Sequence, residues 1–165
     1  MGDQKGYNHL TEELEEGLRA WADKFFTKSR ARISDQDYKD FNSILPGLNT
    51  FKKALLARQE EFKGILAQID DSIQHEEFRI AGIARSLKEN HSSPFTITSL
   101  RRDFETTQNN LNQLKGVQHS FTLFLKVTEE DISKLDELIE YAMTDLQDKF
   151  NRLVKETGRR PRLPQ

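Results

Sequence analysis

There is no cysteine in the 165 residues. Disulfides, thiolate nucleophiles and cysteine-held zinc are excluded with it. Only four prolines and eight glycines punctuate the chain, so long stretches run uninterrupted. Alternating Val, Ile and Thr segments are few, which argues against a sheet. No apolar run approaches the roughly 18–20 residues needed to span a bilayer. The start, Met1 to Gly6, lacks the basic-then-apolar form of a signal peptide. It also lacks the Ser or Thr at position 6 of a myristoylation signal. A formal net charge of −2, with both signs interspersed, gives no reason to expect a nucleic-acid partner. The expectation is a soluble, cytoplasmic protein without a membrane span.

What is present is a polar, helix-favouring chain, 35% hydrophobic and 32% charged. That balance suits an elongated bundle whose helices stay partly wet. One stripe organises it. Gaps of three and four connect Ile97, Leu100, Phe104, Thr107, Leu111, Leu114, Gln118, Phe121, Leu125 and Thr128. The same spacing continues through Ile132, Leu135, Ile139, Ala142, Leu146, Lys149 and Leu153. Such a heptad pattern needs cover from other helices. Unbroken, it predicts a helix of roughly 85 Å, and so part of a rod. Thr128-Glu129-Glu130-Asp131 resembles a helix start, but the phase does not shift there, which favours continuity.

Upstream, Thr11 is a candidate N-cap for a first helix over about 11–32, with Leu14, Leu18, Trp21 and Phe25 on one face. Ser34 with Asp37 three residues on predicts a capping box. A second stripe runs from Phe41 through Leu48, Leu55, Phe62, Ile69 and Ile73 to Leu87. Pro46-Gly47 interrupts it, which predicts a short helix over 35–45 and a main one over 46–89, with one continuous kinked helix as the alternative. Asn90 to Pro94 reads as a turn, with Thr96 or Thr98 capping the third helix. Residues 1–9 and 158–165 are expected to be disordered, the latter a basic, proline-containing tail.

Chemistry is sparse. His9, His75, His91 and His119 are too scattered for a metal site, and His75-Glu76-Glu77 lacks a second His at zincin spacing. Asp35 to Asp40 faintly resembles a calcium loop, but Pro46 stands where a bidentate Glu belongs. Glu12, Glu13, Glu15 and Glu16 suit the positive end of a helix dipole. No catalytic, cofactor-binding or metal-binding residue is proposed, and the expectation is a protein that is not an enzyme. The expected core is Leu14, Leu18, Trp21, Phe25, Leu48, Leu55, Phe62, Ile69, Phe104 and Leu111.

Two stretches carry a family resemblance. One is Leu14 to Trp21, with its lone tryptophan. The other is Ile83 to Ile97, where a patterned helix ends in a polar His-Ser-Ser-Pro turn and the next opens on isoleucine. Over about residues 10–127 the chain resembles a spectrin repeat of the α-actinin-like rod type. Arg32-Ile33-Ser34 followed by Leu45 to Leu55 resembles the first junction and second helix of such a repeat. Departures are the missing third-helix tryptophan, near Phe104 or Leu111, and the Pro46-Gly47 pair.

The resemblance implies an all-α, antiparallel three-helix coiled-coil bundle of spectrin-repeat type with an extended third helix. It implies a structural rod or spacer of an actin-linked cytoskeletal protein, with cytoskeletal partners and no cofactor. Residues 128–157 are then a helical extension or neck without cover. Phe121, Leu123 and Phe124, together with Ile132, Leu135, Ile139, Leu146 and Leu153, become the expected homodimer interface. The alternative is a helical-bundle adaptor in membrane trafficking or signalling.

Overall fold

The computed structural model describes residues 9–89 and 93–158. The expectations for residues 1–8, for the turn at 90–92 with His91, and for the tail from 159 lie outside the described residues. Regular structure among the described residues is entirely helical. It comprises α1 (Leu10–Thr27), α2 (Asp35–Asn42), α3 (Ile44–Glu89), α4 (Pro94–Tyr141) and α5 (Gln147–Leu153). Turns of π-helix follow α4 at Ala142–Leu146 and α5 at Val154–Gly158.

The helix boundaries follow from local chemistry, and several differ from those the sequence predicts. The N-cap of α1 is His9; Thr11 is buried inside its first turn. The helix stops at Thr27, short of 32. The chain leaves it there so that Ile33 and the Arg30 side chain enter the core. At α2 the expected capping box is present. Ser34 Oγ accepts from the Asp37 amide at 3.0 Å, and Asp37 accepts from the Ser34 amide at 3.0 Å.

The break predicted at Pro46 falls at Ser43 instead, whose hydroxyl donates to Asp40 O at 2.9 Å. Pro46 is therefore the third residue of α3. Its missing N–H is one of those that have no intrahelical partner anyway. At α4 the cap is Ser93, whose Oγ accepts from the Thr96 amide at 3.3 Å, in place of Thr96 or Thr98. The helix then runs unbroken through Thr128.

The described residues divide into two compact units, one lying within 1–58 and 127–165 and one within 59–126. The first is a bundle of α1, α2, residues 44–58 and residues 127–158. Thr11 meets Asp131, Glu15 meets Lys134 and Phe25 meets Phe150, so α1 runs parallel to the C-terminal segment. Phe41 of α2 meets Phe150 and Lys52 meets Asp136, so the chain from α2 into residues 44–58 runs antiparallel to it. The core joins Ala22, Phe25, Ile33, Phe41, Leu48 and Leu55 to Leu135, Leu138, Ala142, Leu146 and Phe150.

The pieces of this bundle correct the expected division of the chain. Residues 127–158 have no lack of cover: Leu135 and Leu146 are both 0% exposed. The physical reason is the choice of partner. With only 18 residues, α1 covers one stretch of the long stripe, and its contacts to Asp131, Lys134 and Phe150 select the C-terminal stretch.

The second unit is a two-helix antiparallel hairpin. Ile69, Ile73 and Leu111 form its small core, with Ile65, Ile80, Leu114 and Phe121 packed against them. At one end Phe62, Phe121 and Phe124 make a ring cluster, with centroids 5.4–5.8 Å apart. Further along, Lys115 pairs with Glu77 at 3.9 Å.

One register shift inside the bundle explains a misread position. The buried residues are Leu138, Ala142, Leu146 and Phe150, spaced by four, where a heptad predicts Lys149. In an α-helix each gap of four overshoots a full turn by about 40°, so the stripe would wander off its face. The wider π turn at Ala142–Leu146 accommodates the extra residue and holds Phe150 in the core.

Candidate interaction surfaces

The most connected polar group in the bundle is Asp131, 2% exposed. Its carboxylate accepts from the Leu10 amide at 3.1 Å, the Thr11 amide at 3.4 Å and the Thr11 hydroxyl at 2.7 Å. Asp131 on α4 thus caps α1 from across the bundle, a task the N-cap His9 side chain does not perform. A carboxylate suits both the unpaired amides and the positive end of the helix dipole. His9 lies between two acids, with Nδ1 3.2 Å from Asp131 and Nε2 3.2 Å from Glu130. The helix-start pattern at Thr128 to Asp131 therefore holds a capping acid, but for a different helix.

Around this clasp the charges interlock. The Lys134 ammonium, hydrogen-bonded to Glu15, holds that carboxyl below its ordinary value, and Arg19 adds to the effect. In return Glu15 raises Lys134. The Arg19 guanidinium also lies 4.6 Å from the centroid of the Tyr141 ring. Among the four N-terminal glutamates, Glu15 alone joins these pairs, while Glu12 and Glu13 sit in the first turn of α1.

At the other end of the bundle the rings gather. Phe41 stacks on Phe150 at 4.1 Å and 4°, Tyr38 meets Phe150 edge-on at 5.4 Å, and Trp21 stacks on Phe25 at 4.7 Å. Arg30 lies over Phe25 at 4.7 Å, its side chain 6% exposed and its Nε 3.4 Å from Asp37. None of its three guanidinium nitrogens has a hydrogen-bond partner among the described residues. Ion pairing and ring contact carry this buried cation instead. Burial pushes Asp37 up, but the Ser34 amide and hydroxyl together with Arg30 outweigh it. The net result holds Asp37 below its ordinary value.

The residues expected to form a dimer interface are now placed. Leu135 and Leu146 are buried in the bundle core, and Ile132, Ile139 and Leu153 pack against it. Such side chains are unavailable to a second chain unless the bundle opens. Phe121 and Phe124 turn toward Phe62 inside the hairpin, and Leu123 is half-buried. Of the expected core residues, Phe25, Leu48, Leu55, Ile69 and Leu111 are buried. Leu14, Leu18 and Trp21 pack on the bundle core, and Phe62 and Phe104 are half-buried.

Three phenylalanines were missed by the sequence reading. Phe150 is a core residue hidden by the register shift. Phe78 and Phe95 lie off the stripes and are 81% and 82% exposed. The missed signal was their offset: Phe78 stands two residues before the stripe position Ile80, on the opposite side of the helix.

Open space in the hairpin lies along its seam, in a groove of about 700 Å³. Asp71, Ser72, His75 and Glu76 line one side, and Asn110, Gln113, Leu114 and Val117 the other. Glu76 occupies a stripe position, and its Oε1 is buried without a hydrogen-bond partner among the described residues. No cluster of three or more His, Cys, Asp or Glu is placed to hold a metal ion there or elsewhere among the described residues. The segment compared with a calcium loop is helical from Asp35 to Asn42. No described helix is long and apolar enough to cross a membrane. Compared with known protein families, curated proteins and solved structures, the chain matches none.

Proposed function

We propose that the chain is a non-enzymatic helical scaffold that self-associates through the open seam of its hairpin. The observation that carries this reading is the groove between residues 71–76 and 110–117, with the unpaired Glu76 oxygen inside it. Two helices cover only one side of each heptad stripe, and a third helix completes the packing. Val117, 45% exposed at the groove edge, supplies apolar contact. A donor from the incoming helix would satisfy Glu76. A second copy of the chain is the occupant proposed. The polar side chains of the bundle serve its own helices: Asp131 caps α1, and Ser34 with Asp37 forms the capping box of α2. That use of polar groups supports a scaffold over a catalyst. The narrower setting, a rod in an actin-linked cytoskeletal protein, rests on the sequence resemblance alone.

Sedimentation equilibrium tests the proposal. A concentration-dependent dimer is expected, and Val117→Glu should weaken it by about tenfold by placing a charge against an apolar partner. A monomer at all concentrations, or a dimer indifferent to Val117→Glu, would overturn the reading.

A further inference from the structure

The hairpin carries its charge unevenly. Between Glu60 and Glu77 stand six acids and the single cation Lys63. Between Phe78 and Arg102 the balance reverses. Arg79, Arg85, Lys88, Arg101 and Arg102 face Glu89 within that stretch, with Asp103 and Glu105 just after it, for a net charge of +2 up to Glu105. All five cations are exposed, and none forms an ion pair among the described residues. This same region holds the two most exposed large apolar side chains described, Phe78 and Phe95.

The placement is regular. Phe78 and Arg85 are seven residues apart on α3, and Phe95 and Arg102 are seven apart on α4. Seven residues bring a helix back to within about 20° of the same direction. Each helix therefore presents a bare phenyl ring and a guanidinium two turns apart along one exposed line. Neither ring stacks on another ring among the described residues, and the hairpin core at Ile69, Ile73 and Leu111 lies elsewhere.

We propose that this end of the hairpin docks on an anionic lipid surface. The phenyl rings would enter the boundary between headgroups and acyl chains, and the arginines would meet the lipid phosphates and carboxylates. Long arginine side chains reach the headgroups while their stems lie along apolar surface. The charge pattern favours a membrane over a nucleic acid. A polyanion lying along the whole hairpin would also meet Glu60, Glu61, Asp70 and Asp71, whereas a surface met only by the line from Phe78 to Arg85 and that from Phe95 to Arg102 would not. This inference is independent of the seam proposed for self-association, because it uses neither Glu76 nor Val117.

Co-sedimentation of the full chain with vesicles tests it. Binding is expected to vesicles of phosphatidylcholine with about one-third phosphatidylserine, to weaken with salt, and to be lost on pure phosphatidylcholine. Each basic residue near such a surface is worth about fivefold in partitioning, so Arg85→Glu with Arg102→Glu should reduce binding by more than about tenfold. Phe78→Ser with Phe95→Ser should reduce it by about tenfold, with circular dichroism and Tm unchanged because both rings already face water. Absence of binding to the anionic vesicles would overturn the proposal. So would binding indifferent to either double variant, or capture of single-stranded RNA in preference to vesicles.

Discussion

The bundle and the hairpin are built from the same kind of heptad stripe but differ in what covers it. In the bundle, α1, residues 44–58 and residues 127–158 surround a shared core, and its leucines reach 0% exposure. In the hairpin each stripe has one partner, and the core is three buried residues with half-buried neighbours. The bundle uses its polar groups on itself, through Asp131, Asp37 and the Glu15–Lys134 pair. The hairpin leaves charges and rings facing outward and one buried carboxylate oxygen, on Glu76, without a hydrogen-bond partner among the described residues. Cover thus separates a region that holds a shape from one with surface to spare.

The largest expected effect tests the bundle side of that contrast. Phe150→Ala should destabilise the bundle by about 3–5 kcal/mol in urea unfolding, because it empties a ring stack. If the contrast is right, Phe62→Ala in the hairpin costs less, about 2 kcal/mol, since its ring is half-exposed and neighbours can close in. Equal losses would break the comparison. Asp131→Ala comes next, at about 2–3 kcal/mol, because it leaves the first amides of α1 and the Thr11 hydroxyl unpaired. Amide hydrogen exchange should then speed up first at Leu10 to Glu13.

A smaller effect concerns pH. Asp37 is held below its ordinary value, so its contribution is full above about pH 4 and disappears as the pH falls through its folded value. Asp37→Asn should therefore flatten the loss of bundle stability on acidification, measured by urea midpoints from about pH 6 down to pH 3. The smallest effect belongs to the exposed pair Lys52–Asp136, where Lys52→Ala should change stability by less than about 1 kcal/mol.

Local signals in the sequence proved the most legible. Ser34 and Asp37 announce their capping box because both partners lie within one turn. The continuity of α4 follows from the unbroken phase at Thr128. The pairing of stripes was not legible. A heptad says that a face needs cover, and nothing in its spacing names the helix that provides it. Ile132 to Leu153 therefore looked uncovered, while the stretch that does keep an open side is in the hairpin. Phe150 was hidden because a π turn changes the period that sequence reading assumes. Of the candidate surfaces, Val117 drew no notice. Glu76 enters the sequence reading only in His75-Glu76-Glu77, set against a zincin motif, since orphaned oxygens and open grooves exist only in three dimensions.

The cap that Asp131 gives to α1 spans 120 residues of sequence, from Thr11. A chain emerging from the ribosome would therefore have α1 long before it had the acid that secures it. Closing so long a loop from an unstructured chain costs entropy that grows as the logarithm of its length. The hairpin shortens that search. Once Phe62 meets Phe121 and Phe124, the segments on either side of 59–126 leave from one place, and the effective loop shrinks. The expected order of events is hairpin first and bundle last. The more weakly packed unit would then set the rate at which the more strongly packed one forms.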